Sequence, residues 1–187
     1  MKFFQTVMIV STMSSSMVAA IDVSLAAGGW HTCALLEDKT VKCWGRNDYK
    51  QLGGDTGVNY RATPQQVGDL ANVKAISAGG THTCALLEDG GVECWGANFA
   101  KQLGVDTDGE SRATPQQVGD LTNVKAISVG GTHTCALLED KTVKCWGSNN
   151  YKQLGVDTGG DLATPQQVLD LTNVKAISVG GWHTCAL

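Results

Sequence analysis

Short stretches of the chain alternate between apolar and polar residues, and this period of two is typical of half-buried β-strands. The segment from 73 to 78 shows the alternation, and two further strands are predicted over 82–87 and 91–95. Gly79 and Gly80 bend the chain between the first two strands. Glu88-Asp89-Gly90 supplies a tight turn between the second and third, because glycine tolerates a positive φ.

A fourth strand is predicted after a longer connection. Pro115 begins it, and it runs over 116–118. Proline has no backbone N–H to donate, so this strand is expected at the edge of its sheet. Since no segment sustains a period of 3.6 residues, the pattern predicts a unit of four short antiparallel strands.

This unit recurs along the chain. Trp44, Trp95 and Trp146 follow one another at intervals of 51 residues, and whole decapeptides return, such as RATPQQVGDL at 61–70 and 112–121. A fixed period of this size indicates a repeat architecture, and repeated four-stranded antiparallel units are the blades of a β-propeller. The fold class predicted is therefore all-β.

The repeats divide the chain into a leader, three complete units and a start of a fourth. The boundaries are 1–20, 21–72, 73–123, 124–173 and 174–187. Propellers have about 4 to 8 blades. We therefore expect a partial ring, which is either a fragment of a longer product or one of several copies that assemble.

The motif GGTHTCALLEDGGVECWGAN at 79–98, followed by QLG at 102–104 and by Pro115, Val118 and Leu121, resembles the repeat of the regulator of chromosome condensation family. The resemblance covers residues 22–187 and implies rings of seven blades. Lysine replaces the expected glycine in two hairpins and before each QLG, which puts the local turn geometry in question; these residues are Lys39, Lys141, Lys50, Lys101 and Lys152.

The first 20 residues have the pattern of a secretory signal. Lys2 precedes a short apolar stretch, and Val18-Ala19-Ala20 provides small residues for cleavage after Ala20. The stretch is too short and too interrupted to span a bilayer, and no membrane span is expected elsewhere. The predicted location is therefore secreted or on the extracellular surface, with the nucleus or cytoplasm as the alternative.

Each complete unit has two cysteines ten residues apart: Cys33 with Cys43, Cys84 with Cys94, and Cys135 with Cys145. In the predicted hairpin the two face each other across the strands, within reach of a disulfide. Behind a leader, three disulfides are the favoured interpretation. The alternative is a cytosolic propeller with reduced, buried cysteines.

Histidine stands two residues before the first cysteine of each hairpin, as in His31-Thr-Cys33, and could complete a zinc site. Since this arrangement recurs in every unit and the family has the histidine without metal, we expect it to be structural. No metal and no cofactor are expected.

The connection after the third strand is the candidate binding region, because there the copies differ most and long loops often bind ligands. The candidate residues are Arg46, Asp48, Tyr60, Phe99, Asp106, Asp108, Glu110, Asn150, Asp161 and Leu162. Neutral sequence drift at solvent-exposed positions would explain the same differences between the copies. The alternating acidic residues at 106–110 raise calcium as an alternative, although the full ligand set is absent.

The net charge is −4, from 14 Lys and Arg against 18 Asp and Glu, which argues against nucleic acid as a partner. The sequence contains no phosphate-binding glycine loop and no nucleophile motif, so we do not expect an enzyme. The leading hypothesis is a secreted or surface scaffold that binds a protein of unknown identity. The alternative is guanine-nucleotide exchange on a small GTPase, which the resemblance implies.

Overall fold

The computed structural model describes residues 24–54 and 57–187, so the predicted leader at 1–20 lies outside the described residues. Within the described residues the regular elements are all β-strands. They are β1 Ser24–Ala27, β2 His31–Leu35, β3 Val41–Arg46, β4 Tyr60–Gln66, β5 Val73–Ala78, β6 His82–Leu87, β7 Val92–Gly96, β8 Arg112–Gln117, β9 Val124–Val129, β10 His133–Leu138, β11 Val143–Gly147, β12 Leu162–Gln167, β13 Ile177–Val179 and β14 Thr184–Ala186.

Consecutive strands are neighbours in each sheet. Three four-stranded antiparallel sheets have the orders β1-β2-β3-β4, β5-β6-β7-β8 and β9-β10-β11-β12, and β13 pairs with β14. The first strands β1, β5, β9 and β13 contact one another from sheet to sheet, so they lie at the centre and the fourth strands lie outside. The prediction of an all-β propeller with about three blades and the start of a fourth is confirmed.

The hairpin register agrees with the alternation in the sequence. Cys84 pairs with Cys94, and Leu86 pairs with Val92 on the same face. The cysteines, Leu86 and Val92 lie on one face of the hairpin and are all buried. The other face of β6 is buried as well, because Thr83 and Ala85 are also covered.

Lysine occupies the glycine position of two of these hairpins without changing the turn. Gly90 has a φ of 84°, and Lys39 and Lys141 have φ values of 63° and 67°. Before each QLG motif, Lys50, Lys101 and Lys152 are also left-handed, with φ of 62°, 60° and 60°. The turn geometry is therefore kept, at a backbone strain of about 1–2 kcal/mol for each lysine.

The fourth strand is longer than predicted. β8 runs over Arg112–Gln117, whereas the sequence predicts a strand that Pro115 begins and that covers 116–118. The register between β7 and β8 shifts between Cys94 and Gly96, and Pro115 lies in that irregular segment. A proline is tolerated there, because a bulge on an outer strand needs no ladder hydrogen bond from it.

The hydrophobic core lies between neighbouring blades. One cluster joins Leu52 and Val67 of the first blade to Ala85 and Trp95 of the second. The next cluster repeats this arrangement one blade further on, with Leu103, Val118, Ala136 and Trp146. Each blade is thus stabilised mainly by the apolar surface that it shares with the next.

A hydrogen-bond relay crosses each of these interfaces. Nε2 of His82 lies 2.8 Å from Oγ1 of Thr134 in the following blade. The Thr134 hydroxyl donates to the carbonyl oxygen of Gln102 at 3.2 Å, and the indole N–H of Trp146 donates to the same oxygen at 3.0 Å. Because the hydroxyl proton is directed at Gln102, Nε2 of His82 is the donor, which sets the neutral tautomer.

Burial keeps these histidines neutral. His31 and His133 make the same contacts with Thr83 and Thr184, at 2.7 Å and 3.0 Å. Desolvation lowers the pKa of His31 and His133 to about 4, and that of His82 to about 3. In all three, Nδ1 is buried without a hydrogen-bond partner among the described residues, so a second ring proton would have no acceptor there.

Paired glycines bring adjacent blades into contact near the centre. The backbone N–H of Gly29 donates to the carbonyl oxygen of Gly79 in the next blade at 2.9 Å. A Cβ added at Gly79 would lie 2.2 Å from the carbonyl oxygen of Gly130, so only glycine fits this approach.

Across 24–54 and 57–187, no helix is long and apolar enough to span a bilayer.

Candidate functional site

Two kinds of connection meet at one end of the blades, which we call the loop face. Because the strands are antiparallel, the turn after the first strand and the long loop after the third strand lie at the same end. The turns contain the paired glycines, and the described parts of the long loops cover 47–54, 57–59, 97–111 and 148–161. These loops carry most of the predicted binding residues.

An arginine and three aromatic rings form a cluster on this face. The guanidinium of Arg46 lies 5.7 Å from the ring centre of Trp30 and 5.9 Å from that of Tyr49. Tyr49 meets Phe99 of the next blade edge to face, with ring centres 6.0 Å apart. Trp30 is 65% exposed and Phe99 is 53% exposed, so large apolar surfaces face solvent.

A second aromatic pair lies two blades further along the same face. Tyr151 and Trp182 meet edge to face with ring centres 5.8 Å apart. They are 72% and 59% exposed. We call the surface formed by Trp30, Tyr49, Phe99, Tyr151 and Trp182 the aromatic face.

Among the predicted binding residues, Arg46 and Asp48 form an ion pair on the loop face. The hydrogen bond that the guanidinium of Arg46 donates to the carboxylate of Asp48 raises the pKa of Arg46. This pairing orients the guanidinium between Trp30 and Tyr49, so the charged group and the rings form one surface. Arg46 itself is the last residue of β3 and not a loop residue.

Two other predicted loop residues also lie on strands. Tyr60 begins β4 and Leu162 begins β12, because the outer strands start earlier than the sequence indicated. Tyr60 is exposed and Leu162 packs against the core of the third blade. The variable side chains are therefore shared between the loops and the first residues of the outer strands.

The acidic segment at 106–110 uses its oxygen atoms within the loop. Oδ1 of Asp106 accepts from the backbone N–H of Asp108 at 3.2 Å, and Glu110 pairs with Arg112 at 3.0 Å. The hydroxyl of Thr107 donates to the carbonyl oxygen of Glu110 at 2.7 Å. Within the described residues, no group of three His, Cys, Asp or Glu side chains is arranged to hold a metal ion.

In the third blade, Asn150 and Asp161 lie on opposite ends of the loop. The amide of Asn150 donates to Oγ of Ser148 at 3.4 Å, and Asp161 accepts from the backbone N–H of Asn149 at 3.3 Å. Both residues thus take part in holding the loop.

A buried asparagine fixes each loop. In the second blade, Oδ1 of Asn98 accepts from the N–H of Leu103 at 2.9 Å, and its amide donates to Val105 and Thr107 at 2.9 Å and 2.7 Å. Asn47 and Asn149 make the corresponding bonds to Leu52 and Leu154. The loops are therefore held by a common framework, while the exposed positions on them differ from blade to blade.

The cysteine pairs are bonded within each hairpin. Disulfides join Cys33 to Cys43, Cys84 to Cys94 and Cys135 to Cys145, each with Cα atoms 4.1 Å apart. Their sulfur atoms are consequently not thiolates, and the histidines beside them bond to threonine. The residues considered for zinc thus have other chemical roles in this structure.

Sequence reasoning missed four of the five residues of the aromatic face. Trp30 and Trp182 were not assigned to a site, because threonine stands at the equivalent position in the other blades. Tyr49 and Tyr151 are not among the predicted binding residues, and Ala100 stands at the equivalent position of the second blade. The available signal was that all four are aromatic residues next to a glycine turn or a QLG motif.

Sequence profiles of known families match most of the chain. Two profiles described as the regulator of chromosome condensation (RCC1) repeat match it, one over residues 40–86, 89–137 and 142–187 and the other over 23–51, 73–102 and 124–153. Each profile therefore matches three times, in step with the period of the repeats.

Among curated proteins, the chain is similar to the human probable E3 ubiquitin-protein ligases HERC4 and HERC3. It is 36% identical to HERC4 over 137 residues, which cover 71% of this chain and 13% of the relative. For HERC3 the identity is 36% over 143 residues, covering 74% and 14%. The chain thus spans only a small part of the length of these relatives.

Two solved structures share the fold. Yeast RCC1 (Prp20), solved bound to Kap60, superposes with a TM-score of 0.80 at 24% identity, over 90% of this chain and 42% of that one. Human WBSCR16 gives a TM-score of 0.79 at 25% identity, over 90% and 45%. With the three-fold profile match and the four-stranded blades, these likenesses show that the chain belongs to the RCC1 repeat family.

Proposed function

We propose that this chain is a non-catalytic scaffold, secreted or held at the cell surface, that binds a protein partner on the aromatic face. The observation that carries the proposal is the exposure of Trp30, Phe99 and Trp182, each more than half accessible to solvent. Trp, Tyr, Phe and Arg are the residue types enriched at protein interfaces. Several of them on one end of a rigid framework form a surface suited to a protein.

The rigidity of the framework supports binding. Each loop is fixed by a buried asparagine, and the aromatic residues lie beside these fixed points. A surface that is already ordered loses little conformational entropy when a partner binds. The Arg46–Asp48 pair adds a polar group beside the rings, which is how a specific interface orients its partner.

The proposed location rests on the leader pattern at 1–20 and on the disulfides. Three hairpin disulfides are typical of proteins that fold in an oxidising compartment. Guanine-nucleotide exchange, the alternative, would act in the reducing nucleus or cytosol. The disulfides therefore favour the extracellular scaffold.

Location is tested by the intact mass of the protein from its natural source, before and after reduction. We expect a chain that starts at Ile21 and gains about 2 Da per bridge on reduction. A chain that keeps residues 1–20 and has the same mass after reduction would contradict the extracellular proposal and restore exchange as the leading function.

Binding is tested by a photo-crosslinking amino acid at position 99, introduced in the source cells. The captured protein is then purified and its affinity measured with the wild-type chain and with Trp30→Ser combined with Trp182→Ser. We expect the double variant to bind about tenfold more weakly or worse, because exposed aromatic residues dominate such interfaces.

The matched control lies at the other end of the blades. Asp69→Ser combined with Asp120→Ser changes two exposed residues there and should leave the affinity unchanged. Equal affinity for the aromatic and the control variants would contradict the proposal. Circular dichroism of each variant verifies that the blades are folded.

A further inference from the structure

The outermost strand of each complete blade has one edge that lies at the rim of the propeller. In the sheet orders β4, β8 and β12 are end strands, and within the described residues each pairs only with the third strand of its own blade. All three lie inside the chain, and further strands follow each of them. An edge of this kind presents unpaired N–H and C=O groups, which a strand of another molecule can bond.

The register of the second blade shows which backbone groups face this rim. Cys94 pairs with Gln116, and the N–H of Val118 donates to the carbonyl oxygen of Val92 at 2.9 Å. Since every second residue of an antiparallel strand bonds the neighbour, the N–H of Gln116 is directed at β7, as that of Val118 is. The carbonyl of Pro115 belongs to the same trans peptide unit as the N–H of Gln116 and therefore points the opposite way, toward the rim.

Pro115 and Gln116 close this position to an incoming strand. Proline has no N–H to donate. The side-chain amide of Gln116 donates to the carbonyl oxygens of Pro115 and Thr114, at 3.0 Å in both cases. It also lies 3.1 Å from Oγ1 of Thr114. At Pro115, β8 therefore offers a second molecule no donor, and the acceptor there is already hydrogen-bonded.

The same arrangement occurs in the other two complete blades. The side-chain amide of Gln65 donates to the carbonyl oxygens of Thr63 and Pro64 at 3.1 Å and 3.3 Å. That of Gln166 donates to the carbonyl oxygen of Thr164 at 3.3 Å and to its hydroxyl at 3.0 Å. Each Thr-Pro-Gln sequence is thus accompanied by a glutamine that folds back on its own strand, and we call this arrangement the rim cap.

We propose that the rim cap prevents self-association of the protein through its outer strands. The need arises from the repeats, because RATPQQV is identical at 61–67 and 112–118 and every molecule presents it at least twice. Identical strands can pair antiparallel about a two-fold axis, with the same groups contributed by each molecule. The cap removes a donor and engages an acceptor within that pairing surface, and proteins protect sheet edges by such means. This role is independent of the binding proposed for the aromatic face.

The test opens the cap in one blade of the full chain. Pro115→Thr combined with Gln116→Thr supplies the missing N–H and frees the carbonyl at position 115, and threonine favours an extended strand. The matched control is Pro115→Thr combined with Gln117→Thr. It has the same composition and the same new N–H, but it keeps the amide of Gln116 on the carbonyl. Sedimentation equilibrium measures the dissociation constant of the dimer for the wild type and both variants.

We expect the open variant to dimerise about tenfold more tightly than the control, because the two-fold pair contains the freed carbonyl twice and each ladder hydrogen bond adds a modest gain. The wild type should dimerise through β8 more weakly than either variant, since its proline lacks the N–H. Hydrogen exchange locates the contact. The amide at position 117 faces the rim and should exchange more slowly in the dimer.

Equal dissociation constants for the open variant and the control would overturn the proposal, as would a dimer that leaves the amide at position 117 unprotected. Circular dichroism verifies that each variant is folded. If the second blade does not tolerate the changes, the equivalent variants of the first blade decide the question. These are Pro64→Thr with Gln65→Thr and, as the control, Pro64→Thr with Gln66→Thr.

Discussion

Lysine in a left-handed backbone conformation is the most unusual feature at the scale of single residues. Five lysines have a positive φ, at hairpin turns and before the QLG motifs; they are Lys39, Lys50, Lys101, Lys141 and Lys152. The flanking backbone hydrogen bonds require this conformation. The N–H of Lys141 donates to Leu138 at 3.0 Å, and its carbonyl accepts from Val174 at 3.0 Å.

We predict that Lys141→Gly increases the free energy of unfolding by about 1 kcal/mol. Relief of left-handed strain exceeds the extra entropy that glycine gains in the unfolded chain. Urea denaturation measures the change. Lys141→Ala is the control, because alanine keeps the Cβ and the strain; an equal gain in both variants would assign the effect to the loss of the lysine side chain.

Residue-level prediction from the sequence was good for the framework and poor for the aromatic face. The cysteine pairs and the buried Trp95 and Trp146 follow from position in a repeated hairpin. The contacts of Arg46 with Trp30 and of Tyr49 with Phe99 depend on which turn lies beside which loop. That neighbourhood is set by the packing of blades, and no local pattern in the chain encodes it.

At the scale of the element, the hairpin of the second and third strands is the best-defined part of each blade. Its disulfide joins strands that are already paired, so it closes a short loop. The sequence predicted β5 and β6 with the bounds that the structure shows, because alternation and glycine turns mark both ends. It placed the start of β8 too late, because a proline inside an outer-strand bulge resembles a strand end.

We predict that replacing one hairpin disulfide, with Cys84→Ala and Cys94→Ala together, lowers the free energy of unfolding by about 2 kcal/mol. The loss arises from the greater entropy of the unfolded chain, and it is modest because the closed loop is short. Denaturation under non-reducing conditions measures it. Cys185→Ala should have no effect, since this thiol is exposed and unbonded; a similar loss in both variants would contradict the prediction.

At the scale of the whole molecule, stability depends on the interfaces between blades. The first two interfaces each combine an apolar cluster with the relay from histidine through threonine to the backbone carbonyl of a glutamine, which also accepts from a tryptophan. The histidines are neutral in the folded protein, with pKa values lowered to about 4 or 3. Protonation therefore opposes the association of one blade with the next.

This gives a prediction for the dependence of stability on pH. Between pH 6.5, where histidines of an unfolded chain titrate, and about pH 4, the unfolded chain binds protons that the folded chain does not. The free energy of unfolding should therefore stay constant above about pH 7. It should fall as the pH decreases below 6.5, by up to about 1.4 kcal/mol per pH unit for each buried histidine.

The variant His82→Gln should reduce that slope by about a third, because the amide can still donate to Thr134 but does not titrate. Thr134→Ser, which keeps the hydroxyl of the relay, is the control and should leave the slope unchanged. Urea denaturation at pH 7, 6 and 5 provides the values. A slope that is the same in His82→Gln as in the wild type would show that the proton uptake occurs elsewhere.

The relay has a consequence for how such a protein changes over evolutionary time. At successive interfaces, the same residue types on one blade contact the same residue types on the next. His31 contacts Thr83, and His82 contacts Thr134. A recombination event that duplicates or deletes one 51-residue cassette therefore rejoins matching halves of a junction. Gene copies that differ by whole cassettes would each inherit intact junctions, so the number of units can drift while the chemistry between them stays fixed.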